Sequence, residues 1–142
     1  MEIMTPEEYR QFMLGSVRTG KLATVREDGR PHIAPIWFDM DDEVIVFMTG
    51  ANTVKGRNIW RDSRVSLCVD DEKPPFAFVI IDGIAEIAHP TQPEFLDWST
   101  RIASRYMGVE LGPVYGKRNA VEGELLIRVT PTRIIRQKGI SD

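Results

Sequence analysis

Apolar positions recur along this chain with two different periods, and the switches between them divide it into elements. Near the N-terminus, Tyr9, Phe12, Met13 and Val17 fall at helical spacing. Thr5, Pro6 and Glu8 ahead of them form a helix start: an N-cap, a proline suited to the first turn, and a capping-box acid three residues after the cap. Gly20 ends this helix. The period then changes to two. Lys21 to Val25 reads as a strand, Arg26-Glu27-Asp28-Gly29-Arg30 as a hairpin turn, and His32 to Phe38 as the return strand. Pro35 cannot donate a ladder hydrogen bond, so the return strand is expected at a sheet edge or bulged. Asp39-Met40-Asp41-Asp42 reads as a second turn and Glu43 to Thr49 as a third strand, which together predict a three-stranded meander.

The second half alternates in the same way. A short helix is expected over 53–61, capped by Asn52 or Thr53. Arg64 to Asp70 is a strand with Val65, Leu67 and Val69 on one face, and Asp71 to Pro75 is a loop. Phe76 to Ala88 is a long strand in which Gly83 predicts a bulge or a close backbone approach. Thr91-Gln92-Pro93 opens a helix carrying Phe95, Trp98, Ile102 and Tyr106, and Gly108 closes it. Val109 to Glu122 reads as a mobile loop. Glu124 to Thr130 and Thr132 to Gln137 are the last strands, with a bend or strand switch at Pro131. Six or seven consecutive strands, two full helices and one short one predict a mainly β (α+β) single domain over residues 1–142: an antiparallel barrel with flanking helices.

Composition narrows the function classes. A net charge of −3 and a pI near 5.5 argue against a nucleic-acid partner, which calls for a basic face. No apolar run is long enough to span a bilayer, and no signal peptide is evident. The single Cys68 permits no internal disulfide, fits a cytoplasmic setting, and reads as a small core residue. His32 and His89 have no sequence-local catalytic partner, and no metal-ligand, Walker or Rossmann pattern is present.

One stretch does carry chemistry. Val44 to Met48 is an apolar strand, Gly50-Ala51-Asn52-Thr53 a small-residue turn, and Lys55 and Arg57 follow at the helix start. Cations are disfavoured at a helix N-terminus unless an anion sits between them and the free amides, so the arrangement reads as a phosphate cradle. A barrel mouth lined by Pro35, Ile36, Trp37, Met48 and Thr49 would take a planar ring whose phosphate Lys55 and Arg57 hold. In such a protein the cofactor carries the hard step.

Several segments, taken in order, resemble a known family. Gly20-Lys21-Leu22-Ala23-Thr24-Val25, Asp28-Gly29-Arg30-Pro31-His32 and Pro35-Ile36-Trp37-Phe38 resemble the opening of the flavin and deazaflavin oxidoreductases with the pyridoxamine 5'-phosphate oxidase-like split β-barrel. Lys55 to Val65 resembles their phosphate-binding segment, Phe78 to Glu86 their central long strand, and Pro131 to Ile135 their closing strand. The similarity is greatest to the branch that uses coenzyme F-420, a deazaflavin with a phosphate and polyglutamate tail. It implies a reductase transferring hydride to a small organic substrate. Lys55 would bind the cofactor phosphate with Thr53, Arg57 and Asn58, and Pro35 to Trp37 with Met48 and Thr49 would flank the ring. It also implies a homodimer whose sites lie between subunits, with Phe76, Ala77 and Phe78 supplied by the partner. The alternatives are an FMN-dependent oxidoreductase of the same fold and a non-catalytic flavin, deazaflavin or haem binding protein, the last needing His32 or His89 as an axial ligand. The C-terminal arginines and histidine of vitamin B6 oxidases are not found, so oxidation of pyridoxine phosphate is not implied.

Overall fold

The computed structural model describes residues 1–142, and its elements follow in the order β1 (Glu2–Ile3), α1 (Pro6–Leu14), β2 (Gly20–Val25), β3 (Pro31–Ile36), β4 (Phe38–Asp41), β5 (Val44–Gly50), α2 (Val54–Arg61), β6 (Arg64–Asp71), β7 (Ala77–Ala88), α3 (Gln92–Met107), α4 (Gly112–Asn119) and β8 (Glu124–Lys138). Every strand pairing is antiparallel. The sheet runs β3-β2-β6-β7-β8-β5-β4, with the two-residue β1 added beside β8.

This order has a geometric consequence. β3 and β4 are the two outer strands of the path, yet only Trp37 separates them in sequence. Two consecutive peptide units span at most about 7 Å. The sheet must therefore curl until its edges meet, and the result is a split barrel whose seam is bridged by Trp37. The expected edge position of the Pro35 strand is found. The expected meander is not, because β3 pairs only with β2, and β4–β5 forms a separate hairpin on the far side of the seam. His32 to Phe38 is thus not one strand. Asp39 to Asp41 belongs to β4, and the turn falls at Asp42, which has φ of 50°.

Inward-facing Leu22, Phe38, Ile45, Phe47, Leu67, Val69, Val79, Ile81, Ile127 and Val129 fill the barrel, and Tyr9 and Met13 of α1 pack onto it. A second, smaller cluster lies outside the wall. There Val46 and Leu126 pack under Ile102 of α3, with Trp37, Met48, Phe95, Trp98 and Tyr106 around them. β5 is covered on both faces, which explains why Val44 to Met48 reads as an unbroken apolar run rather than an alternating one.

The capping signals are realised. Thr5 and Thr91 each form a capping box, with Glu8 and Glu94 respectively, and Thr53 is the N-cap of α2. α1 is shorter than its apolar stripe implies: it ends at Gly15, and Gly20 opens β2. Gly83 lies where the β7–β8 register shifts, and a Cβ there would come within 2.6 Å of Val129 Cγ1. Pro131 does not divide the last strand. β8 is continuous, and the bend is a bulge in which Thr132 Oγ1 donates to the Asp82 carbonyl at 3.1 Å.

The segment from Val109 to Glu122 is not a loop but contains α4. Its glycines and proline suggest irregular chain, yet Pro113 sits in the first turn, where its missing N–H costs nothing. Gly112 and Gly116 allow α4 to approach α3 closely: a Cβ at Gly116 would meet Thr100 Oγ1 at 2.3 Å, and Ser99 Oγ donates to the Gly116 carbonyl at 2.8 Å. No helix is long and apolar enough to cross a membrane.

α3 also closes the seam. Tyr106 Oη accepts from the Phe38 amide at 3.2 Å and donates to the Arg18 carbonyl at 2.8 Å, and Arg105 donates to the carbonyls of Phe38 and Met13. Burial pushes the Tyr106 hydroxyl pKa up, so it stays protonated and able to donate. Tyr106→Phe leaves the Phe38 amide without its acceptor. It should cost about 1–3 kcal/mol in urea unfolding. A stability equal to that of the parent protein would show that the seam does not need this hydroxyl.

Candidate functional site

A cavity of about 220 Å³ opens beside the seam. Pro35, Ile36 and Trp37 line it from the strand junction, Met48 from β5, Lys55 from α2, Ser99 and Ile102 from α3, Asn119 from α4 and Glu124 from β8. It is not at a barrel mouth. Trp37 and Met48 belong with the cluster under α3, outside the wall, whereas Ile45 and Phe47 face the interior. Side chains alternate along a strand, and this parity puts Met48 outside and Thr49 inside. The ring of Trp37 is stacked on Tyr106 at 5.1 Å with an interplanar angle of 4°, so one of its faces is already taken.

The start of α2 is held in place with little slack. Thr53 Oγ1 accepts from the Gly56 amide at 3.1 Å, donates to the Gly50 carbonyl at 2.8 Å and lies 3.0 Å from Thr49 Oγ1. One hydroxyl has one proton and two lone pairs, so these contacts saturate it. Gly56 is required by proximity, since a Cβ there would sit 2.2 Å from the Gly50 carbonyl oxygen. Thr53 takes up the Gly56 amide and leaves the Val54 and Lys55 amides of the first turn without intrahelical partners. No ion pair engages Lys55, Arg57 or Glu124. Lys55 is half-buried and lines the cavity, while Arg57 is exposed at its outer side of the helix.

The structure brings together only part of the residue set expected from sequence. Pro35, Ile36, Trp37, Met48 and Lys55 converge on the cavity. Thr49 and Thr53 support it from behind as a hydroxyl pair. Asn58 is turned inward: it is buried, its Nδ2 donates to Thr24 Oγ1 at 2.9 Å, and its Oδ1 accepts from Arg61 at 3.3 Å. Phe76, Ala77 and Phe78, expected from a partner subunit, do not line this chain's own cavity. The pairing row Pro35–Lys21–Cys68–Ile80 puts the first half of β7 three strands from the seam, about 14 Å around the wall. Ala77 instead lines a separate cavity beside α1, with Arg18 and Lys138. His32 and His89 do not line the seam cavity either.

Four lining residues were missed. Ser99, Ile102, Asn119 and Glu124 come from α3, α4 and the start of β8. The available signal was the small-residue spacing Gly112/Gly116 opposite Ser99, Thr100 and Ser104, which predicts close helix packing and hence a helix in place of the loop. Glu124 is the one acid in the lining. Burial pushes its carboxyl up, and the Lys55 ammonium pulls it partly back down.

These residues fit an anionic ligand. The cation has no internal partner, the amides at the helix start are free, and the walls are apolar and aromatic. The volume is below the roughly 300–1,000 Å³ of common small-molecule sites, so one chain encloses part of such a ligand rather than all of it.

Comparisons with known proteins agree with this fold. The chain is similar to a solved conserved hypothetical protein, Rv2991 from Mycobacterium tuberculosis, at 27% identity and TM-score 0.83, covering 98% of this chain and 88% of that one. It is also similar to a solved F-420 reductase at 27% identity and TM-score 0.71, covering 92% and 98%. The haem storage protein HutZ from Vibrio cholerae matches over the full length of both chains at TM-score 0.74, but its 17% identity speaks to the fold alone. The sequence profile described as pyridoxamine 5'-phosphate oxidase matches residues 5–138, and the chain belongs to that family of split β-barrel proteins.

Proposed function

We propose that this chain is an oxidoreductase that binds coenzyme F-420 at the seam cavity and reduces a small organic substrate. The observation that carries the reading is the convergence of an unpaired Lys55, the free amides at the start of α2 and the Pro35–Trp37 wall on one cavity. The similarity to a solved F-420 reductase supports the choice of cofactor. When bound, a reduced deazaflavin supplies a hydride. The chain's own residues bind and orient. Lys55 holds the phosphate by charge, Arg57 adds positive potential from the exposed side, and Trp37, fixed against Tyr106, sets the wall beside which a ring lies. Ile102 and Met48 exclude water from its edge. Haem is not favoured, because neither histidine reaches the cavity.

The small volume also supports a homodimer. A second copy would supply the missing wall, and Phe76, 40% exposed and with φ of 61°, is held outward at the start of β7 where it can reach a neighbour. Light scattering after size exclusion should return twice the chain mass of 16.2 kDa. A monomer that binds F-420 tightly would refute the role of a second copy.

Lys55→Ala should weaken F-420 binding by about 1.5–3 kcal/mol, the range for hydrogen bonds to charged groups, which is roughly ten- to a hundredfold. Its thermal unfolding should be unchanged, since Lys55 makes no ion pair in the fold. Fluorescence titration of both proteins with F-420 and with FMN checks this. Unchanged affinity in the variant would remove the phosphate assignment, and preference for FMN would move the protein to a flavin enzyme of the same fold.

A further inference from the structure

Glu124 is the one feature of the cavity that works against an anion, and the proposed function does not use it. It opens β8 directly opposite Gly50, the residue that starts the turn into α2. A Cβ at Gly50 would lie 3.7 Å from Glu124 Oε1 and 3.2 Å from Thr53 Cγ2, so the carboxyl sits against the same turn as the N-cap of α2. Its backbone is fixed from both sides, by the Glu124 amide donating to the Val121 carbonyl at 3.1 Å and the Ala51 amide donating to the Gly123 carbonyl at 2.7 Å. The carboxyl itself has no hydrogen bond or ion pair. It lines the seam cavity together with Lys55, and it also lines a second groove of about 600 Å³ between α3 and the α4–β8 connection. Of the charged groups that line these two spaces with it, Lys55 of α2 acts on the carboxyl, Lys117 of α4 and Glu122 of the connection line the groove, and the polar Gln92, Ser99 and Asn119 are neutral.

A carboxylate in the same lining as the cavity's only cation opposes part of that cation's field. Each unit of ligand charge is repelled by that carboxylate separately, so the penalty it sets against the attraction of Lys55 and the free amides is larger for a doubly charged phosphate than for a singly charged one. A phosphomonoester carries about −1.5 to −2 at pH 7, and its second proton leaves near pH 6. A phosphodiester carries one charge at every pH near neutrality. We propose that Glu124 is a specificity-determining residue that makes the seam cavity favour a ligand with a phosphodiester over one with a phosphomonoester. The inference rests on the phosphate reading of Lys55 and deepens it. It supplies a physical reason for the choice between two cofactors whose rings are nearly alike: the phosphate of F-420 is a diester, and that of FMN is a monoester.

The carboxyl's raised pKa gives a second handle. As pH falls through its titration, Glu124 loses its charge and the discrimination should fade. In a Glu124→Gln variant only the ligand's own phosphate titration remains.

The test is a binding titration of parent and Glu124→Gln proteins with F-420 and with FMN, at pH 8 and at a series of lower pH values. At pH 8 the variant should bind FMN about tenfold more tightly than the parent does, as expected for removing one nearby charge in a partly solvated site. F-420 affinity should rise by less, so the ratio of the two falls. As the pH is lowered the ratio in the parent should move toward that of the variant measured at the same pH. Melting temperatures of both proteins establish that the variant is folded, and Glu124→Asp, which keeps the charge, should retain the parent's preference. An unchanged ratio in Glu124→Gln, with both ligands still bound through Lys55, would overturn this inference alone. Failure of the parent protein to bind either ligand would overturn it together with the phosphate reading.

Discussion

The constraint on which the rest of this structure depends is the single-residue link at Trp37. β3 and β4 occupy opposite ends of a seven-strand path, and one residue joins them. No flat sheet satisfies this. The chain must curl, the edges must meet, and the backbone groups at the junction must find partners other than ladder bonds. Tyr106 and Arg105 of α3 supply them. The helix that closes the seam therefore also roofs a space beside it, and the cavity exists because the barrel is split there.

The same arrangement decides which residues can act. Strand parity turns Met48 outward into the cavity and Thr49 inward to the α2 cap. Gly56 and the saturated Thr53 hydroxyl bring the start of α2 against Gly50, which leaves Lys55 at the rim with no internal partner. The binding potential of the cavity then comes from three local terms: a free ammonium, two unpaired amides and the opposing carboxylate of Glu124. The net negative charge of the whole chain says little about it, because field at a half-buried site is set by its nearest groups.

Much of the fold was legible in the sequence, for physical reasons that can be named. Thr5-Pro6-x-Glu8 and Thr91-x-x-Glu94 carry reciprocal caps, and both helices start where these signals put them. Pro35 cannot donate and does lie on an edge strand. Gly83 has no room for a side chain. The misses arise where local chemistry is overruled at long range. The single residue at Trp37 looks like part of a strand because nothing nearby reveals that its two sides pair with strands at opposite ends of the sheet. α4 looks like a loop because its glycines, poor helix formers alone, are favoured by close packing on Ser99, Thr100 and Ser104. Met48 and Lys55 were legible together because they sit on one strand–turn–helix unit, and Trp37 because it follows Pro35 at the sheet edge. Glu124 was not, because only the β5–β8 pairing brings it to Gly50. The side-chain direction of Asn58 was not legible either: it follows the cradle in sequence, and the helix carries its amide into the interior toward Thr24.

The central claim is that the start of α2 beside Trp37 is an anion seat. The most direct measurement is an amide-resolved NMR titration of the labelled protein with F-420. The account predicts that the largest shifts fall on the Val54 and Lys55 amides and the Trp37 indole, with saturation at one ligand per chain. Shifts confined to other surfaces, such as the cavity beside α1 that holds Ala77, with the Val54 and Lys55 amides unmoved, would contradict it.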